Sequence, residues 1–201
     1  VDSTGVLTAN SGTYFEEQDS ALFIEHVQLL TEEDYAESDF MTLARKSKRS
    51  YLSGDVLIHN ISDQQRIRAD SIYADSTGFR QLIGNAVIRT IDSPVNDTLN
   101  NQTPEITPNI ESDTTFVFAP HINIYDQDST FIFHSDSLSS SWSPNFSTRS
   151  DSLKYESEFE QFTLTGQPIA WYDNTELNAK TIIDAENKLG ITRGKITYLN
   201  L

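Results

Sequence analysis

The sequence contains no cysteine, which excludes disulfide scaffolds, thiolate zinc sites and cysteine nucleophiles. That absence does not fix a compartment, since it suits both a reducing cytoplasm and a periplasm where stray thiols are a liability. Basic residues are scarce: 14 Lys+Arg stand against 30 Asp+Glu, for a formal net charge of −16 and a pI near 4.4. Nucleic-acid binding is therefore not expected, because it needs a basic stripe to displace counterions from phosphates. An anionic membrane surface would repel the chain for the same reason. Long apolar runs are missing too. Stretches such as Ala21 to Ile24 are about four residues long, against the roughly 20 that span a bilayer, so the chain is expected not to be embedded in a membrane. It begins at Val1 with no basic-then-apolar leader, which fits a removed targeting segment or a piece of a longer chain equally.

Hydrophobic residues make up 37% of the chain, below the roughly 45–50% usual for globular domains. A thick closed core is not expected from that figure, whereas a thin or elongated β-structure is. What is present is a regular alternation. In Tyr51 to Asn60, Leu52, Val56 and Ile58 share one face with Gly54 between them, the pattern of a strand with one buried side. The same period of two runs through Phe23 to Leu30, Leu82 to Ile91, Phe116 to Tyr125, Thr130 to Leu138, Phe162 to Tyr172 and Ile191 to Leu199. Polar turns such as Asp75 to Gly78 and Glu186 to Gly190 lie between them, so the chain reads as an all-β antiparallel protein. Residues 31–49 carry competing signals: Thr31 followed by Glu32, Glu33 and Asp34, then a basic end from Arg45 to Arg49, has the form of a capped helix. Its register with neighbouring units favours a strand. Residues 92–115 have no period and hold Pro94, Pro104 and Pro108. They read as a long flexible insertion within a single continuous domain spanning 1–201.

An internal repeat is the most specific feature. Leu52-Ser-Gly-Asp-Val-Leu-Ile58 aligns without gaps on Leu82-Ile-Gly-Asn-Ala-Val-Ile88 and on Leu164-Thr-Gly-Gln-Pro-Ile-Ala170. Phe23 to Leu29 fits the same frame without the glycine. A companion element, Ala69-Asp70-Ser71-Ile72-Tyr73, recurs as Ser150 to Tyr155 and as Ala179 to Ile182; Ala9, Ala36 and Ala69 are spaced by 27 and 33 residues, and Ser150 and Ala179 by 29. Each hairpin has one apolar face that it cannot bury alone, and stacking the hairpins gives a shared apolar interior. The mid-strand glycine fits either a bend where the sheet folds on itself or the close approach of another backbone, and the bend is favoured.

These elements, Ala69 to Tyr73 with Leu82 to Ile88, Tyr51 to Ile58, and Leu164 to Pro168 with Ala179 to Ile183, resemble the OstA/LptA/LptC family of lipopolysaccharide-transport proteins. The likeness spans most of the chain outside 92–115. It departs in the glycine missing from the first unit, in Lys180 where the repeat has an acid, and in the long insertion. It implies a V-shaped open β-jellyroll of stacked antiparallel hairpins, located in the periplasm, whose groove shields lipopolysaccharide acyl chains and whose terminal strands join like-folded partners. The predicted groove lining is Phe23, Val27, Leu29, Leu52, Val56, Ile58, Leu82, Ala86, Ile88, Leu164, Pro168 and Ala170, none of them charged. The docking edges are expected near Leu7 to Tyr14 and Ile191 to Leu199. With a net charge of −16, affinity is expected from acyl burial, at about 0.8 kcal/mol per CH₂, rather than from the phosphates of the lipid head group. The competing reading is a structural or adhesive solenoid whose alternating residues fill a closed core.

Other chemistry is sparse. His26, His59, His121 and His134 sit on separate strands without a metal-ligand spacing. Asp126 and Asp128 start like a calcium loop but lack its glycine and distant glutamate. Arg45, Lys46, Lys48 and Arg49 read as a solvated turn, with contact to a phosphate or an acidic partner as the lesser alternative. Trp142 and Trp171, with Tyr155, Tyr172 and Tyr198, fit either ordinary packing, which is favoured, or a sugar-stacking platform. Neither a catalytic motif nor a cofactor site is recognisable, and an enzyme is not expected.

Overall fold

A computed structural model describes the backbone of residues 5–32, 34–60, 65–91, 114–127, 130–144, 146–159, 161–172, 175–185 and 188–198. Side chains are described there except at 127, 130, 131, 184, 185 and 188–198. The structure is all-β. In chain order the strands are β1 (Val6–Thr8), β2 (Ser11–Phe15), β3 (Ser20–Leu30), β4 (Asp34–Ala44), β5 (Arg49–Asn60), β6 (Arg66–Ala74), β7 (Phe79–Ile91), β8 (Thr114–Gln127), β9 (Thr130–Ser135), β10 (Ser139–Trp142), β11 (Phe146–Ser150), β12 (Ser152–Glu156), β13 (Gln161–Thr165), β14 (Ile169–Tyr172), β15 (Thr175–Ala185) and β16 (Lys188–Tyr198). One turn of 3₁₀ helix, Ser157–Phe159, is the sole helical element among the described residues.

All pairings are antiparallel, and they follow chain order. From β3 to β8 each strand pairs along its length with the next. Beyond β8 the same meander continues with strands interrupted at mid-length. The C-terminal half of β8 pairs with β9 and its N-terminal half with β10. Next, β9 pairs with β12 and β10 with β11. In turn β12 pairs with β13 and β11 with β14, and both β13 and β14 pair with β15. At the two ends, β1 and β2 share the free side of β3, and β16 covers β15. Thus β1 with β2, β9 with β10, β11 with β12 and β13 with β14 each behave as one strand broken at a corner.

Every long strand turns at that corner, so each contributes to two facing walls. The register slips at Ile24/Val27, Ser53/Val56 and Ile83/Ala86, where two residues of the odd-numbered strand oppose one of its neighbour. The corner residues are left-handed: Glu25 and His26, Gly54 and Asp55, Gly84 and Asn85, Gly166 and Gln167 all have positive φ. Glycine takes that conformation without the Cβ clash that costs other residues roughly 1–2 kcal/mol. The first unit lacks the glycine but bends anyway, with Glu25 at φ 62° and His26 at 52°. The bend reading of the glycine holds, and what approaches it closely is an aspartate side chain rather than another backbone. At Gly84 a Cβ would lie 2.2 Å from Asp70 Oδ2, and at Gly54 it would lie 2.5 Å from Asp39 Oδ2. The corner aspartate, Asp39 or Asp70, therefore packs over the glycine of the next strand, and Gly166 repeats this against Asp151.

In place of a helix stands the strand β4 (Asp34–Ala44), followed by a turn at 45–48. The cap-like signal at Thr31 is used differently: its hydroxyl accepts from the Asp34 N–H at 2.9 Å and closes the β3–β4 turn. Some boundaries differ from expectation. Thr114 and Thr115 belong to β8 rather than to the insertion, while 92–113 lie outside the described residues. Lys188 to Gly190 start β16 rather than sitting in a turn, and 186–187 lie outside the described residues. The strand expected from Thr130 to Leu138 ends at Ser135, and the one from Phe162 to Tyr172 is broken by the Gly166 corner.

Candidate functional site

The space between the walls is the candidate site. All twelve residues assigned to it from the sequence face inward. Val27, Leu52, Val56, Leu82, Ala86, Ile88, Leu164, Pro168 and Ala170 are buried, and Phe23, Leu29 and Ile58 pack half-buried against the same core. The facing strands complete the lining with residues absent from that set: Ile67, Ile72, Ile122, Ile124, Leu153 and Ile182 are all buried. Their signal was in the sequence, since Ile67 and Ile72 flank the Ala69-Asp70-Ser71 element with the parity that points inward on either side of a corner.

Packing is tightest beside the corners. Val56, Leu82 and Leu164 have no exposed surface, while Ile58, Tyr155 and Phe162, farther out along their strands, are only half-buried. The walls meet at the corner, and away from it burial is uneven: Ile67, Ile88 and Ile124 remain buried where Ile58, Tyr155 and Phe162 are not. Near one rim Phe133, Tyr155 and Phe162 form an aromatic cluster with ring centroids 4.7–6.0 Å apart.

The interior contains no buried ionisable side chain among the described residues. Its buried polar groups are Ser38, Ser135, Ser139, Ser141, Thr148 and Ser150. Four of them sit on β10 and β11 and hydrogen-bond across the strand pair: Ser141 Oγ to Thr148 Oγ1 at 2.7 Å, and Ser139 Oγ to Ser150 Oγ at 3.5 Å. Unpaired, each hydroxyl would cost about 1–3 kcal/mol; paired, they form a small hydroxyl patch in an otherwise aliphatic lining. Ser38 Oγ, next to Val27 on β4, is buried without a partner.

Charge is concentrated outside. Exposed Asp39, Asp55, Asp70 and Asp151 run along the outer seam of the corner, where Arg68 donates to Asp55 at 2.9 Å and Asn85 to Asp70 at 3.1 Å. The solvated Arg68–Asp55 pair adds at most about 1 kcal/mol. Three exterior groups titrate away from their ordinary ranges. The Tyr14 phenol is raised chiefly by its hydrogen bond to Asp19, and that of Tyr35 by its bond to Glu37. The Asp75 carboxyl is lowered by hydrogen bonds from the Thr77 hydroxyl and N–H in the β6–β7 turn.

The remaining expected features fall as follows. Arg45, Lys46 and Lys48 occupy an exposed turn between β4 and β5, and Arg49 opens β5. Trp142 and Tyr172 are exposed, Trp171 is half-buried, and Tyr155 belongs to the interior cluster; the side chain of Tyr198 lies outside the described ones. Asp126 lies at the end of β8, and Asp128 lies outside the described residues. Among the described residues no group of three or more His, Asp or Glu side chains could hold a metal ion, and no helix is long and apolar enough to cross a membrane.

No family model matches the chain, and no curated protein matches it by sequence. Among solved structures it is similar to LptH of Pseudomonas aeruginosa, described as the LptA-homologous periplasmic component of a conserved lipopolysaccharide transport device. The identity is 8% over 100% of this chain and 96% of that one, with a TM-score of 0.27.

Proposed function

We propose that this protein is a periplasmic lipid-transport module that shields the acyl chains of lipopolysaccharide between its two walls. One observation carries the reading. The interior runs from Val27 near one end of the stack to Ile182 near the other without a buried charge among the described residues. Such a lining suits an acyl chain, which gains about 0.8 kcal/mol per CH₂ buried and makes no demand for polar partners. An ion there would cost several kcal/mol. The repeat's resemblance to the OstA/LptA/LptC family supports the same cargo. The walls touch beside the corner, so loading requires them to part, starting where Ile58, Tyr155 and Phe162 are only half-buried.

The outermost strands give the module its ends. β1 and β2 expose Val6, Tyr14 and Phe15 along the free side of β3, and the pairing order places β16 at the opposite end of the described sheet. Unpaired strand edges take up another strand by main-chain hydrogen bonding, and we assign docking of like-folded partners to these two edges.

Photocrosslinking distinguishes this from a closed structural solenoid. A benzophenone amino acid at Ile58, which is inward but half-buried and tolerant of the larger side chain, is expected to label with lipopolysaccharide. So is one at Val56, if the variant folds. The same group at outward-facing Leu57 is expected not to. Equal labelling at Ile58 and Leu57, or none at either, overturns the transport reading.

A further inference from the structure

Opposite the interior, on the outer face of the wall formed by β6, β7, β8, β10, β11 and β14, cations and aromatic rings stand in one cross-strand row. The registers Arg66↔Arg89, Arg89↔Phe116, Phe116↔Trp142, Trp142↔Ser147 and Ser147↔Trp171 place them side by side. The alternation that buries Ile67, Ile88, Val117, Ser141, Thr148 and Ala170 turns each of these residues outward. Phe116 is in contact with Phe118 and Trp142, at centroid distances of 6.0 and 5.8 Å, and the Arg89 guanidinium lies 5.8 Å from its ring centre. Trp142 is 48% exposed and Phe118 41%. Beside the row a cleft of about 560 Å³ is floored by Val87, Phe118 and Ser140 and flanked by Leu138 and Arg149.

The charges select the ligand. Arg66 and Arg89 are direct cross-strand neighbours, an arrangement that destabilises a sheet when the charges are alike. Neither they nor Arg149 has a carboxylate partner among the described residues, and Arg89 Nε is buried without a hydrogen-bond partner. In a chain of net charge −16 these arginines had a large supply of acids to pair with. The one acid in the row, Glu176 opposite Trp171, is occupied by the Trp171 indole N–H at 3.0 Å and by Asn178 Nδ2 at 2.7 Å. An anion is thus the missing neighbour of the arginines. The aromatic faces add a second requirement, because their negative π surface favours the slightly positive C–H face of a sugar ring. Trp142 and Trp171 are separated by the one strand β11, so they stand about 9–10 Å apart and can meet alternate rings of an extended chain.

We propose that this outer face is a binding site for an anionic glycan, with acid groups held by Arg66, Arg89 and Arg149 and sugar rings stacked on Phe116, Trp142 and Trp171. The site shares no residue with the interior and goes beyond the transport reading.

Both tryptophans of the chain lie in the row, so tryptophan fluorescence, excited selectively over tyrosine, reports on it. The full chain is titrated with tetragalacturonate, with maltotetraose as the neutral counterpart and polyglutamate as an acidic polypeptide, and affinities are checked by calorimetry. A saturable fluorescence change with tetragalacturonate, weaker at high salt, is expected, with at least tenfold weaker binding of maltotetraose. Exposed Arg66→Gln and Arg149→Gln should each weaken it about tenfold, the loss of one charge-assisted hydrogen bond. Trp142→Ala should do the same by calorimetry. Absence of a saturable response to tetragalacturonate, equal affinity for maltotetraose, tighter binding of polyglutamate, or unchanged affinity in Arg66→Gln with native circular dichroism overturns the proposal. None of these outcomes bears on crosslinking from Ile58.

Discussion

The stretch from β3 to β8 and the stretch from β9 to β14 build the same two walls by different means. In the first, strands of nine to fourteen residues run unbroken through the corner, and both walls are lined by aliphatic side chains such as Leu52, Val56, Leu82 and Ile88. In the second, strands of four to six residues stop on either side of it. One wall there keeps Leu153 and Leu164, while the other replaces its aliphatic residues with Ser139, Ser141, Thr148 and Ser150. The wall that is poorest in aliphatic groups inside carries the aromatic side chains Phe116, Phe118, Trp142 and Trp171 on its outer face. The contrast teaches that the corner and the register, not the hydrophobicity of each strand, define this architecture, because cross-strand hydroxyl pairs satisfy the interior where aliphatic groups are missing.

The corner is where the first stretch is most easily broken. Gly84→Val would force a Cβ to within 2.2 Å of Asp70 Oδ2 at a φ of 73°, and a loss of about 3 kcal/mol or more is expected in denaturant unfolding. The glycine-free corner gives the opposite sign: His26→Gly, relieving a left-handed φ of 52°, should stabilise the protein by up to about 1 kcal/mol.

Truncating the interior should separate the two stretches more quietly. Leu82→Ala removes a fully buried side chain and is expected to cost about 2–5 kcal/mol. Ser141→Ala leaves Thr148 Oγ1 without its 2.7 Å partner and should cost only about 1 kcal/mol. Replacing both with valine removes the two hydroxyls together, losing besides only the 3.3 Å bond that the Ser141 N–H donates to Thr148 Oγ1, and is expected to cost no more than about 1 kcal/mol. If the double replacement costs as much as Leu82→Ala, the hydroxyl patch is not a substitute for aliphatic packing and the comparison fails.

Much of this was legible in the sequence because side chains on a strand alternate strictly: once Leu52, Val56 and Ile58 were placed on one side of Gly54, their burial followed, and so did that of Leu82, Ala86 and Ile88. The repeat also marked the corner, since glycine followed by Asp, Asn or Gln is a pair that tolerates the left-handed region. The hydroxyl-lined wall was not legible, because Ser139-Ser140-Ser141 has no hydrophobic contrast from which to read a face. Of the arginine and aromatic row, only Trp142 and Trp171 were legible, as the lesser, sugar-stacking alternative to ordinary packing. Arg66, Arg89, Phe116, Trp142 and Trp171 are far apart in sequence and meet only through the strand register, and a net charge of −16 masks a local cluster of cations.

The central claim is that the walls part to admit acyl chains, and the distance between them tests it most directly. The chain has no native cysteine, so spin labels can be placed cleanly through Tyr51→Cys and His59→Cys, outward positions on the two wings of β5 either side of the Gly54 corner. Pulsed electron paramagnetic resonance should show a longer and broader distance distribution when lipopolysaccharide is added, and no change with the isolated polysaccharide lacking acyl chains. An identical distribution with and without lipopolysaccharide, at concentrations where binding is saturated, would contradict the account.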